Sequence, residues 1–256
     1  MTETTTDYEE FRERYGEIIG SGQSAVIYAR DGIATKVYRE GQPKKQVYQE
    51  AFTLAVVKDC GIPAPEIYCV ETFHGRTAVL MDQVRGDSLA DLMLKYPEQT
   101  EEYMDKIVSL QKDMHDIRTT EFRPLKLVLF GTILASTGIT EDEKKRLSSM
   151  LETLPDDLSI CHGDFHGGNV IFDGKSYIII DWAEVACGAP AADACRSYMD
   201  FFIMDEDIAE MYLDKYCTAT GRSREEILAW LPVTAGSLYG YIGEDVQKKI
   251  GQFFKA

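Results

Sequence analysis

His162-Gly163-Asp164-Phe165-His166-Gly167-Gly168-Asn169, followed after a short gap by Ile178-Ile179-Ile180-Asp181-Trp182, is the stretch on which the reading of this chain turns. Between the two, Val170 to Phe172 and Tyr177 to Ile180 read as short strands around the turn residues Asp173-Gly174. A hairpin turning there returns Asp181 beside Asn169, so that a carboxylate and an amide oxygen converge where a hard divalent cation takes both. Asp164 then lies in the preceding loop. Phosphoryl transfer needs such a set: an oxygen pair for Mg²⁺ and a separate carboxylate to orient the attacking hydroxyl and receive its proton. Taken alone, the octet also fits a metallohydrolase cluster of His162, Asp164 and His166, or a polar loop capping a helix.

The spacing from Asp164 to Asn169 matches the kinase catalytic-loop pattern H-R-D-x-x-x-x-N, with Gly163 in place of Arg, and Asp181 stands where D-F-G has its metal-binding Asp. The loop and the I-D-W that follows resemble the aminoglycoside phosphotransferase and choline kinase family, small-molecule kinases with a protein-kinase-like fold. The resemblance implies an α+β, bilobal architecture: an antiparallel-sheet N-lobe with one helix over residues 1–84, and a mostly helical C-lobe over 85–256. It implies ATP, with GTP as the alternative, and Mg²⁺. Asp164 becomes the catalytic base, Asn169 and Asp181 the magnesium ligands, and His166 a contact to the transferred phosphate. His162 braces the loop.

A kinase makes further demands in the N-terminal half. The first is a Lys on the third strand with a Glu from the next helix to hold it, and Lys36 and Glu50 qualify. Ala34 shares the Lys36 face by strand alternation and leaves room for adenine, while Thr35 and Val37 face away. The second is a flexible turn over the phosphates, met by Gly20-Ser21-Gly22-Gln23-Ser24-Ala25, whose backbone N–H groups from Ser21 to Ser24 are candidates for phosphate and whose neighbour Ile27 would pack on the base. The third glycine of G-x-G-x-x-G is missing. The third demand is a connector at the lobe junction, Val79 to Val84; by resemblance Met81 backs the pocket, and the carbonyl of Asp82 and amide of Val84 pair with adenine. Ile171 and Ile180 would form the apolar floor.

Around these motifs, Glu17 to Tyr38 reads as an antiparallel meander with its hairpin at Asp31-Gly32. Pro43 and Gly61 bracket a helix with the apolar stripe Val47, Ala51, Leu54 and Ala55. Beyond Asp87, helices are expected over Ser88 to Lys95, Glu98 to Ile117 and Glu141 to Leu154, and again from about Ala191. Only a few residues separate Asp181-Trp182-Ala183 from Gly188-Ala189-Pro190, which leaves no room for a long activation loop and favours a small acceptor over a protein. Asp193 resembles the acid of the family's G-x-P-x-x-D stretch and is expected to anchor the catalytic loop. Asp200, Glu206, Trp230, Tyr239, Tyr241 and Glu244 are acceptor-contact candidates by location alone.

The whole chain has 256 residues and a formal charge of -16, a field that repels nucleic acid and anionic lipid and attracts a cationic small molecule. The ranking is therefore an amine-bearing, aminoglycoside-like acceptor first, then choline, another amino alcohol or a sugar. A nucleotide-binding pseudokinase-like regulator is the alternative from another class. Apolar runs are too short to span a bilayer, Met1 to Glu10 carries no export signal, and six cysteines without a C-x-x-C pair suit a reducing cytoplasm.

Overall fold

A computed structural model of the chain describes residues 5–22 and 24–255. In chain order it opens with helix α1 (Thr5–Tyr15), strands β1 (Glu17–Ser21), β2 (Ala25–Arg30) and β3 (Ile33–Tyr38), helix α2 (Lys44–Asp59), and strands β4 (Ile67–Phe73), β5 (Arg76–Asp82) and β6 (Asp87–Ser88). Helices α3 (Leu89–Lys95), α4 (Thr100–His115), α5 (Leu125–Ala135) and α6 (Glu141–Thr153) follow, then strands β7 (Ser159–Cys161), β8 (Val170–Phe172), β9 (Tyr177–Ile179) and β10 (Ala186–Gly188). Helices α7 (Pro190–Met204), α8 (Glu206–Thr220), α9 (Arg224–Leu228), α10 (Leu231–Leu238) and α11 (Glu244–Gly251) complete it. The organisation is α+β, an antiparallel sheet early and helices later.

Two compact units result: one runs to Asp87 and takes in Ile171–Ala183, and the other comprises Ser88–Val170 and the chain from Glu184 onward. The segment Ile171–Ala183 thus groups with the sheet rather than with the residues 85–256 assigned to the second lobe on sequence. The Ile179 N–H donates to the Pro63 carbonyl at 2.7 Å, which ties the segment to the chain leaving α2.

The first unit is a five-stranded sheet in the order β1-β2-β3-β5-β4, with every neighbouring pair antiparallel. Asp31 and Gly32 turn the β2–β3 hairpin with φ of 52° and 84°, the twist a two-residue connection needs. Strand alternation sends Val26, Tyr28 and Val37 to one face, where Phe11 and Tyr15 of α1 cover them. Helix α1 was not expected: the acids and threonines of its sequence mask one aromatic pair four apart, which is enough to seat a helix. Ala25, Tyr38 and Val79 face the other way, towards Val47 of α2. Helix α2 buries Val47, Ala51, Leu54 and Val57, while Ala55 is exposed, because the inward stripe turns back after Leu54 to Val57.

In the second unit α4, α7 and α8 pack together, with Phe201, Tyr212 and Tyr216 in ring contact at their centre. Helix α10 sits against α5, α6 and α7. Strand β7 pairs antiparallel with β10, Cys161 opposite Ala186, and so fixes where the octet begins. Helix α5 was also missed: its run Leu-Lys-Leu-Val-Leu-Phe-Gly-Thr-Ile-Leu-Ala is apolar nearly all round, so no single stripe marks it.

Candidate active site

The register of the first unit assembles half of the expected site. Ile27 lies opposite Lys36 across β2–β3, Ala34 opposite Met81 and Lys36 opposite Val79 across β3–β5. Directly opposed residues share a face, so Ile27, Ala34, Lys36 and Met81 stand side by side. Lys36 Nζ lies 2.5 Å from Glu50 Oε1, and the Tyr38 hydroxyl donates to Glu50 Oε2. Both carboxylate oxygens are therefore occupied, and the lysine is held over the sheet. Burial, then the Glu50 charge, and finally Asp181 raise the Tyr38 hydroxyl pKa well above its ordinary value.

Asp181 is exposed, has a left-handed backbone with φ of 63°, and accepts no hydrogen bond from a described residue. A non-glycine residue in that conformation costs of order 1 kcal/mol or more and points to a functional constraint. A carboxylate left open in this way suits a hard cation. Ile180 precedes it, and Ile171 stands on β8, both half-buried.

The turn after β1 departs from expectation. The Gly22 N–H donates to the Ala25 carbonyl at 2.9 Å and closes the hairpin, so this donor is not open to a phosphate. The Arg39 guanidinium also bonds the Gly22 carbonyl and the Ser21 hydroxyl. Gly20 packs near Ile27, Ser24 is exposed, and Gln23 lies outside the described residues. At the connector, Asp82 closes β5 and its carboxylate accepts from the Glu66 N–H and the Tyr68 hydroxyl, with Val84 half-buried just beyond.

In the second unit the octet is pinned from below. Asp193, fully buried on α7, accepts from the Gly163 N–H at 2.7 Å, from Gln111 Nε2 at 3.0 Å, and lies 2.9 Å from His115 Nε2. Burial pushes this carboxyl up, but those partners, His115 first, outweigh it and lower its pKa. A buried charge needs such full satisfaction. The expected role of Asp193 as loop anchor thus has its geometry, and His115 and Gln111 are the partners that sequence did not supply. Gly163 has φ of 82°, and a Cβ there would lie 2.6 Å from the Glu184 carbonyl, which explains why glycine replaces the kinase arginine.

His162 is buried and its Nδ1 accepts from the Asp164 N–H at 3.3 Å, while His166 Nδ1 accepts from the Gly168 N–H at 3.0 Å. Each imidazole spends one nitrogen on the loop backbone, which makes them braces of the loop and weakens the metallohydrolase reading. Asn169 Nδ2 donates to the Asp164 carbonyl at 2.8 Å, so its Oδ1, which accepts from no described residue, is the oxygen left for a cation.

The Asp164 carboxylate faces Arg196 Nη2 at 2.5 Å and His166 Nε2 at 3.7 Å. Burial would raise its pKa, but His166 and the Arg196 charge hold it at about 2. The Asp164 charge in turn raises His166. Arg196 Nε also binds Asp200 at 2.9 Å, and burial pushes the Asp200 carboxyl up to about 6 despite that partner. Arg196 was not foreseen; its signal was the spacing Asp193, Arg196, Asp200 on one face of α7.

Asp164 and Arg196 open into a cleft of ≈ 660 Å³ within this unit, lined also by Arg123, Glu184, Tyr241 and α5. Of the acceptor candidates, Tyr241 is exposed in that cleft. Trp230 and Tyr239 are core, Glu206 pairs with Lys249, and Glu244 begins α11.

The sheet unit thus holds a strand lysine clamped by a helix glutamate and an open, strained aspartate, and the helical unit holds a carboxylate with an amide on a pinned loop. The chain belongs to the phosphotransferase enzyme family designated APH, whose sequence pattern matches residues 16–228. Among solved structures it is similar to aminoglycoside-3′-phosphotransferase of type VIII, at 17% identity over 90% of this chain and 97% of that one, with a TM-score of 0.64. It is similar to aminoglycoside phosphotransferase APH(4)-Ia in ternary complex with AMP-PNP and hygromycin B, at 14% identity over 98% of each chain, with a TM-score of 0.71. Choline kinase LicA from Streptococcus pneumoniae matches at 13% identity over 98% of each chain, with a TM-score of 0.68. No curated protein matches the sequence. Among the described residues no helix is long and apolar enough to cross a membrane.

Proposed function

We propose that the protein transfers the γ-phosphoryl group of ATP, with GTP as the alternative donor, to a hydroxyl of a small molecule, with Mg²⁺ held by Asn169 and Asp181. The observation that carries this is Asp164, fixed on a pinned loop and opening into a cleft large enough for a small acceptor. Bound Mg²⁺ would supply neutralisation of phosphate charge. Lys36, held by Glu50, binds the donor phosphates, and Ile27, Ala34, Met81, Ile171 and Ile180 line the base. The amide of Val84 and carbonyl of Asp82 read its edge.

The acceptor oxygen attacks the γ-phosphorus in line. The bond from that phosphorus to its bridging oxygen breaks, the nucleoside diphosphate leaves with the electron pair, and the hydroxyl proton passes to the Asp164 carboxylate. A carboxyl held at about 2 is far too weak a base to ionise an alcohol in advance. Asp164 therefore orients the hydroxyl and takes the proton late, as the new bond forms. The whole-chain charge draws amine-bearing molecules, aminoglycosides, amino alcohols and amino sugars alike, towards the protein, while the acceptor that it phosphorylates is selected by the lining of the cleft.

Asp164→Ala is expected to lower turnover by about 10²–10⁴-fold while AMP-PNP still binds. ADP release over a panel of amines, sugars and amino alcohols, beside nucleotide affinity, checks this. Wild-type-like turnover in the variant would remove Asp164 from the mechanism, and no release with any acceptor would favour the regulator.

A further inference from the structure

The acceptor cleft has a lining unlike the field of the whole chain. Its charged groups balance, the guanidinium groups of Arg123 and Arg196 against the carboxylates of Asp164 and Glu184. Arg196 already occupies Asp164, with Asp200 behind, so Glu184 is the lining carboxylate left for an amine. Arg123 makes no ion pair with a described residue. A polycation drawn in by the net charge of -16 would meet a free guanidinium and a single open acid.

The remaining side chains of the lining are mostly apolar, with the hydroxyls of Thr132 and Ser237 among them. Helix α5 presents Leu127, Val128 and Gly131, and Leu238 and Tyr241 face the same space. Leu127 and Tyr241 are each 67% exposed, and a Cβ on Gly131 meets nothing within 4 Å. Leucine and tyrosine held open to water beside a reactive carboxylate mark a binding surface for something apolar.

We propose that the acceptor is a hydroxyl-bearing molecule with an apolar skeleton, neutral or singly charged, and not a polycationic aminocyclitol. The skeleton lies on the α5 wall and the hydroxyl points to Asp164. This rests on the phosphotransferase reading, which places the reacting oxygen at Asp164.

The test uses the full chain and three probes: octyl β-glucoside below its micellar concentration, methyl β-glucoside, and gentamicin, with binding measured by titration calorimetry. Octyl β-glucoside is expected to bind at least tenfold more tightly than either of the others. Leu127→Asp and Gly131→Trp, both at exposed positions of α5, are expected to erase that preference, whereas Leu94→Asp on the exposed face of α3 keeps it. Equal binding of the two glucosides, tighter binding of gentamicin, or a preference that survives Leu127→Asp overturns the proposal. Binding of AMP-PNP with Mg²⁺, read by thermal shift, checks the parent reading separately. A missing shift alongside an intact octyl preference would sink the phosphotransferase role, and with it the assignment of an acceptor.

Discussion

Arg196 holds two carboxylates that repel each other, and its removal should be felt in stability before catalysis. Arg196→Met leaves Asp164 and Asp200 facing without a cation. With a quarter of the side chain reaching solvent, a loss of about 3 kcal/mol is expected, at the low end for a broken buried pair, and urea unfolding at pH 7 measures it. The two acids also separate by pH. Asp200, raised to about 6, binds its proton more tightly when folded, so its contribution falls as the pH rises from about 4 to 6. Asp164, lowered to about 2, contributes fully above about pH 4 and loses this as the pH falls towards 2. Unfolding across pH 2.5 to 7 should therefore show Asp200→Asn flattening the upper window and Asp164→Asn the lower; unchanged profiles in both variants would contradict these assignments. Asp164, Asn169 and Asp181 were singled out as candidates from sequence because a fixed spacing in one loop and one hairpin carries them. Arg196, His115 and Gln111 were not, since their roles depend on which helix faces pack on the loop.

Among the elements, α5 shows most plainly how a helix escapes detection. A stripe argument needs a polar side, and α5 has almost none, because one apolar side meets α10 and another lines the cleft. Gly131 sits in the middle of this helix with open space at its Cβ. Gly131→Ala is therefore expected to raise stability by about 0.5–1 kcal/mol, read from the denaturant midpoint, and a loss would mean that the cleft wall leaves no room for a methyl group at this position. Helix α1 escaped for the opposite reason, a polar composition around one buried aromatic pair. The meander and α2 were legible because a hairpin signal, strand alternation and helix-ending residues all agreed.

For the whole molecule, the charge of -16 is spread well beyond the cleft, whose own lining is balanced. Such a surplus opposes the compact state. The melting temperature is expected to rise as NaCl goes from about 0.01 to 0.15 M, where the screening length shrinks from about 30 to 8 Å. A falling melting temperature would show that surface ion pairs outweigh the repulsion. Net charge thus speaks to solubility and steering, and is a poor guide to what a particular cleft accepts.

Sequence by itself was enough for the family, for the meander with α2 and for the hairpin after the loop, because phosphoryl transfer tolerates few residue types at fixed spacing and local turn and helix signals act over short separations. Tertiary packing decided the rest: that Arg196 claims Asp164, that the Gly22 N–H closes a turn, and that an apolar helix walls the cleft. These depend on neighbours far apart in the chain, and a side chain's partner there is set by which faces bury together, which no local pattern records.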